Sequence, residues 1–246
     1  MNIIAAAIVR NVSRFIPDVI ESLAWADRIV VCDDHSSDDT SSLLHKLGAK
    51  DHHLAVIRPW YSGTMFESLP NGRRNISREL TIRNQFIKRL FDQFTPDAVL
   101  LFDGDELFSS ALKKYICHVV GHEEFDSIAL TCNHLFSRNY YLHVYENNWN
   151  GVSMVDPHVR VITKVQLYQS GEWEEVPDCM LKHTKNTLCL DGAYHYHLKY
   201  CERLHQINHS LRSLPNHITL ETTQTYMRLH RFPFPSDLHS IIEKYV

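Results

Sequence analysis

A chain of 246 residues fits one domain with a sizeable core, and 44% hydrophobic with 22% charged residues is a globular balance rather than a disordered one. Twenty-five Lys and Arg against 29 Asp and Glu leave a net charge of −4, which removes the broad positive field of a protein that lives on nucleic acid or anionic lipid. Only eight glycines occur, none closer together than Gly63 and Gly72, so neither a GxGxxG dinucleotide fingerprint nor a GxxxxGK phosphate loop exists.

Ile3–Val9 is a continuous apolar run of strand length, the pattern of a strand covered on both faces. Ser13 to Ala26 carries Ile16, Ile20, Leu23 and Ala24 at helical spacing, with Pro17 tolerable only in the first turn. Arg28–Cys32 reads as a second buried strand, closed by the polar cluster Asp33 to Thr40. A short helix through Leu43, Leu44 and Leu47 ends at Gly48, and Leu54–Ile57 is a third strand. This alternation predicts a right-handed, mostly parallel sheet.

Trp60 to Asn75 reads as a long functional loop. A helix is expected from Ser77 to about Phe94, with Leu80, Ile87, Leu90, Phe91 and Phe94 inward and Pro96 beyond its end. Ala98–Phe102 is a fourth buried strand that runs into Asp103-Gly104-Asp105-Glu106. Leu107 to Val120 reads as a helix, and Ser127–Cys132 as a strand. Beyond residue 135 the pattern turns irregular, with strands expected at Val159–Thr163 and Val165–Tyr168, and helices near Lys199–Leu214 and from Ser236 to Tyr245.

The six cysteines are scattered without a CxxC pair, so they read as reduced, mostly buried thiols of a cytoplasmic protein. No apolar run is long enough to span a bilayer, and the N-terminal run lacks the layout of a signal peptide. The expectation is a soluble chain with no transmembrane segment.

Four constellations can carry chemistry. Asp33-Asp34 stand where the second strand ends, the place where open α/β sheets gather ligands; a carboxylate there can accept from a nucleobase or ribose, or the segment can be a solvated turn before a helix cap at Asp38 or Thr40. Asp103 and Asp105, two apart on extended backbone, can face one site and favour a hard divalent ion such as Mg²⁺ or Mn²⁺. Arg83-Asn84 lie on or beside the apolar stripe of their helix, where a guanidinium needs an anion: a bound diphosphate, or an internal carboxylate. In Tyr194-His195-Tyr196-His197, both histidines share a face if extended, and one imidazole can complete a metal's coordination. Trp60, Tyr61, Tyr140, Tyr141 and Trp149 offer rings for sugar stacking or for surface packing.

Taken together, the N-terminal strand with Arg10-Asn11, the segment IVVCDDHSSDDT (Ile29–Thr40), the Arg83-Asn84 helix and AVLLFDGDE (Ala98–Glu106) resemble the GT-A glycosyltransferases, closest to glycosyltransferase family 2. The match covers about the first 130 residues well. It implies a Rossmann-like α/β fold with a mostly parallel central sheet flanked by helices. Residues 1–132 would bind the nucleotide sugar, and an irregular region, 133–246, would form the acceptor side of the same domain. It further implies that Asp34 binds the base with Asp33 beside it, that Arg10, Arg83, Asn84 and Asp103 line the donor, and that Asp103, Asp105 and His197 hold Mn²⁺ or Mg²⁺.

The implied reaction is inverting transfer from a nucleotide-diphosphate sugar to a glycan or other hydroxyl acceptor. Where relatives carry a His-Glu pair after a Trp, this chain has Trp173-Glu174-Glu175-Val176-Pro177-Asp178, which places the general base on Asp178, with Glu175 and Glu174 as alternatives. The competing readings are a non-catalytic nucleotide-sugar-binding module and a sugar nucleotidyltransferase; the latter lacks its Gly-rich, Lys-bearing N-terminal loop here.

Overall fold

The computed structural model describes residues 1–71, 73–121, 125–137, 140–142, 146–149, 151–155, 157–173, 176–181, 184–198, 227–229 and 234–245. The first half runs β1 (Ile3–Val9), α1 (Ile16–Ser22), β2 (Arg28–Asp33), α2 (Thr40–Gly48), β3 (Leu54–Ile57), α3 (Ile76–Phe94), β4 (Ala98–Leu101), β5 (Glu106–Phe108) and α4 (Leu112–Val120). The second half is strand-rich: β6 (Ser127–Ser137), β7 (Tyr140–Leu142), β8 (Glu146–Trp149), β9 (Val152–Val155), β10 (Pro157–Ile162), β11 (Gln169–Trp173), β12 (Val176–Met180), β13 (Thr187–His197) and β14 (Met227–Leu229), closed by α5 (His239–Ile242).

The parallel strands stand in the order β3-β2-β1-β4. Antiparallel β10 continues the sheet to β6, and β13 lies parallel to β6 on its other side, with β5 as a short antiparallel edge. Alternate residues of the central strands feed two cores. Ile3, Ala5, Ala7 and Val9 join Ile16, Val19 and Ile20 of α1, Leu44 of α2 and Leu112, Ile116 and Val119 of α4. Ile4, Ala6 and Ile8 join Ile82, Phe86, Ile87 and Leu90 of α3 on the opposite face. That two-sided burial explains why β1 reads as an unbroken apolar run. Each large side chain so buried contributes about 1.5–3 kcal/mol.

Local chemistry sets the ends of these elements. Asn75 caps α3 by accepting the Arg78 amide, and Thr95 closes it in the left-handed conformation at φ 43°. Asp97 and Asp27 accept the amides of Asn2 and Ile3 and fix the start of β1. Asp38 accepts from the Thr40 amide at 3.0 Å and the Ser13 amide at 3.1 Å, tying the start of α2 to the turn after β1.

Several expectations need correction. Leu107–Val120 is not one helix: Glu106–Phe108 pairs with His195–His197 as β5, and the helix starts only at Leu112. Tertiary pairing overrides a three-residue segment whose periodicity cannot tell strand from helix. Val165–Tyr168 is not a strand; Val165 and Leu167 are exposed, and pairing begins at Gln169. The first helix covers only Ile16–Ser22 of the expected Ser13–Ala26. The expected helix at 199–214 lies outside the described residues. Among the described residues no helix is long and apolar enough to cross a membrane.

Gly104 has a specific steric reason. A Cβ there would lie 2.8 Å from both methyls of Val12, so the turn after β4 approaches the turn after β1 as closely as it does only without a side chain. Gly104→Ala is expected to destabilise the fold by about 1–3 kcal/mol, with Val12→Ala in the same chain recovering part of the loss. A double-mutant cycle by denaturant unfolding checks this. Burial opposes the Asp38 charge, yet the Thr40 and Ser13 bonds lower its pKa from 3.8 to about 2. Its contribution is therefore complete above pH 4 and fades as pH falls towards 2. Asp38→Ala should cost about 0.5–2 kcal/mol at neutral pH, with the gap to the parent chain shrinking over that acidic window in pH-dependent melts.

Candidate functional site

Three neighbouring strands end at one edge of the sheet. β1 leads into Arg10-Asn11, β2 into Asp33-Asp34 and β4 into Asp103-Gly104-Asp105, with β1 between the other two. Adjacent strands lie about 4.8 Å apart, so the two acidic turns start roughly 10 Å from one another, across the point where the strand order reverses. Asn11 and His35 both take the left-handed conformation, at φ 52° and 55°. Asn11 Oδ1 accepts from the Ser37 amide at 2.8 Å, and its own amide donates to Ser36 Oγ at 2.9 Å, which stitches the first two turns together.

Asp34 is fully buried and saturated. Its carboxylate accepts from Tyr61 Oη (3.0 Å), Thr64 Oγ1 (2.5 Å) and the Met65 amide (2.8 and 3.0 Å), with Arg10 Nη1 4.0 Å away. It therefore anchors the segment 61–65 behind the strand ends. Asp33 is the partly exposed member of the pair, accepting the Ser36 amide at 3.3 Å. Trp60 stacks on Phe86 of α3 with its centroid 5.9 Å away, donates to Gln85 and carries Arg89 over its ring. Trp60 and Tyr61 are thus both packed into the fold; the side chains of Tyr140, Tyr141 and Trp149 lie outside the described set.

On α3, Glu79 is completely buried, and its Oε1 accepts from Arg74 Nη2 at 2.6 Å and Arg83 Nε at 2.8 Å. The Arg83 guanidinium also lies over the Tyr168 ring, 5.1 Å from its centroid. Burial works against its charge, but Tyr168, Asp103 and Glu79 outweigh it and hold the pKa above the ordinary value. Asn84, the second residue expected at the donor, bonds both backbone groups of Tyr168, donating to its carbonyl (3.1 Å) and accepting from its amide (2.6 Å). This clasp ties α3 to the hairpin β11–β12. Asp178 lies in the middle of β12, opposite Gly171; Glu174 and Glu175 fall outside the described residues.

The turn after β4 is partly neutralised from the far half of the chain. Arg160 of β10 reaches Asp103 Oδ2 at 2.9 Å with its Nη2 and bonds Glu106 Oε1 with the same nitrogen. Glu106 Oε2 accepts the Asp103 amide at 3.0 Å, which closes the turn on itself. Burial disfavours the Glu106 charge, but Arg160 and His195 hold its carboxyl well below the usual range. Burial pushes His195 down to about 4 against the pull of Glu106, so it is neutral at physiological pH. Composition and spacing did not single out Arg160; the available signal was a lone arginine in the apolar run Val159–Ile162.

β13 brings His197 to the same turn. Its Nε2 lies 3.0 Å from Asp105 Oδ2, and its Nδ1 3.0 Å from Nδ1 of His134, on the adjacent β6. Neighbouring ligands about 2.1 Å from one octahedral ion stand about 3.0 Å apart, so the Asp105–His197 spacing fits a shared divalent cation, while the Asp103 carboxylate, on the other side of the glycine, is bonded to Arg160. A second cluster, Glu106 with His158 and His195, also brings its donor atoms within 4.8 Å. Glu106 already carries a buried guanidinium there, which disfavours a further cation.

No protein-family profile matches the chain. Among solved structures it is similar to Staphylococcus aureus TarS 1-349, with a TM-score of 0.53 and 16% identity, over 87% of this chain and 64% of that one. A complex of TarS 1-349 with UDP-GlcNAc gives a TM-score of 0.41 at 21% identity, over 56% and 36% of the two chains. The Pyrobaculum calidifontis mannosyltransferase PcManGT with GDP-Man and Mn²⁺ gives 0.37 at 15%, over 53% and 35%. In each case the present chain spans less than two thirds of the other's length. With a parallel β3-β2-β1-β4 core, helices on both faces and an acidic turn at the end of β4, the chain has the GT-A fold.

Proposed function

We propose that this chain is a metal-dependent, inverting glycosyltransferase that moves a sugar from a nucleotide-diphosphate donor to an acceptor hydroxyl. The observation that carries this reading is a shared sheet edge: Asp33 ends β2, Asp103 and Asp105 follow β4, and His197 stands 3.0 Å from Asp105, brought there by a strand some ninety residues later. Two carboxylates and one imidazole make a donor set suited to Mn²⁺ or Mg²⁺.

Asp33, the partly exposed carboxylate, accepts from the nucleoside, while Asp34 holds the segment behind it in place. Arg10 and Arg83 place positive charge on the donor side, and Glu79 and Tyr168 hold Arg83 in a fixed orientation for the diphosphate. A cation held by Asp103, Asp105 and His197 would neutralise charge on the departing diphosphate. Arg160 keeps Asp103 fixed for that task. Asp178 takes the acceptor's proton as its oxygen bonds to the anomeric carbon and the bond from that carbon to the diphosphate oxygen breaks, which releases a nucleoside diphosphate. The hairpin that carries Asp178 is positioned through Tyr168 and the Asn84 clasp. Glu174 and Glu175 are the alternative bases.

Thermal unfolding against UDP-GlcNAc, UDP-glucose and GDP-mannose with Mn²⁺ tests the donor site. A donor at a hundred times its Kd adds about 2.7 kcal/mol, or roughly 5–10 °C for a chain of this size. Asp105→Ala should abolish that shift; an unchanged shift overturns the metal assignment. Asp178→Asn should keep the shift but lower turnover by at least 10²-fold, measured as nucleoside diphosphate release with an acceptor panel. Full turnover in this variant moves the base to another group.

A further inference from the structure

We propose that Cys132, His134 and His197 form a second cation site, for a soft divalent ion such as Zn²⁺, which uses the same histidine as the acidic turn but through its other ring nitrogen. Cys132 and His134 are two apart on β6 and so share one face of it. β13 runs alongside in parallel with His197 directly opposite His134. The ligand atoms of all three lie within 4.8 Å of one another, with Cys132 and His134 buried and His197 partly so.

The spacings suit a thiolate–imidazole site. Cys132 Sγ is 3.9 Å from His134 Nδ1, and His134 Nδ1 is 3.0 Å from His197 Nδ1. A tetrahedral ion with sulfur at about 2.3 Å and nitrogen at about 2.0 Å sets these separations at about 3.5 and 3.3 Å, so shifts of a few tenths of an ångström close the site. The fourth position is left for water. Asp105 supplies the orienting partner that metal-binding histidines usually have: with Nε2–H donated to its carboxylate at 3.0 Å, His197 presents the Nδ1 lone pair towards His134. Cys132 binds as the thiolate, and its proton leaves to solvent.

His197 thereby serves one ion at a time. When Nε2 faces a hard cation beside Asp105, the ring proton sits on Nδ1 and donates to His134. When Nε2 carries the proton to Asp105, Nδ1 is available to the soft ion. The binding itself stands without the transferase reading; only the competition with Mn²⁺ rests on it.

Co²⁺ added to the purified metal-free chain is the direct probe. The expected result is one equivalent bound with a near-ultraviolet sulfur-to-cobalt charge-transfer band, displaced by Zn²⁺. Cys132→Ser should remove the band, and His134→Gln should weaken Co²⁺ binding at least tenfold; the second variant decides the matter if the first folds poorly. Zn²⁺ should also raise the melting temperature of the parent chain but not of Cys132→Ser, and should depress Mn²⁺-supported nucleotide-sugar binding only while Cys132 is present. Absence of the band in the parent chain, or its persistence in Cys132→Ser, overturns the site. A Cys132-dependent band in a chain that binds no nucleotide sugar upholds the site and removes the transferase reading instead.

Discussion

Three carboxylates within four consecutive residues at a strand end repel one another, and Glu106 is removed from water altogether. The arrangement at the end of β4 exists because Arg160 supplies a buried positive charge bonded to both Asp103 and Glu106. Breaking such a pair by removing one partner strands the other and costs about 3–5 kcal/mol. The strand that carries Arg160 is therefore part of the acidic turn's own chemistry. β10, which borders β4 as an antiparallel strand, brings this guanidinium to the strand ends from outside the βα repeat.

The rest of the edge is organised by the same logic of satisfied buried polarity. Asp34 has no access to solvent, and four hydrogen bonds from Tyr61, Thr64 and Met65 compensate it. Arg78 adds bonds to the Thr64 and Ser62 carbonyls, so a segment that reads as a loop has its shape set by two side chains outside it. Glu79 does the equivalent on α3 by gathering Arg74 and Arg83. In each case a carboxylate buried in one element fixes the geometry of another.

How much of this was legible in the sequence depends on range. The runs Ile3–Val9, Arg28–Cys32 and Ala98–Phe102 could be read as parallel strands because burial on both faces removes alternation, and the acidic clusters after the last two could be read as lying at one end of the sheet. The pairing of His197 with Asp105 followed from the resemblance and appears as a 3.0 Å contact. His134 and Arg160 were not legible: their roles arise from strands paired across long separations, and no local spacing encodes that. Asn84 illustrates the opposite difficulty. Its type and position suited ligand binding, but its amide is used on the Tyr168 backbone, a partner 84 residues away. The short strand Glu106–Phe108 was hidden because three residues carry no period, and only β13 makes them a strand.

The Asn84 clasp has a mechanical consequence. A side-chain amide that grips both the carbonyl and the N–H of one residue imitates a strand neighbour, and two bonds at one residue prevent sliding along the chain axis far better than tilting about it. The β11–β12 hairpin is thus tied to α3 at the residue that precedes its first strand, which sets its distance from that helix. The register of that hairpin on α3 is thereby fixed by a side chain rather than by a strand pairing.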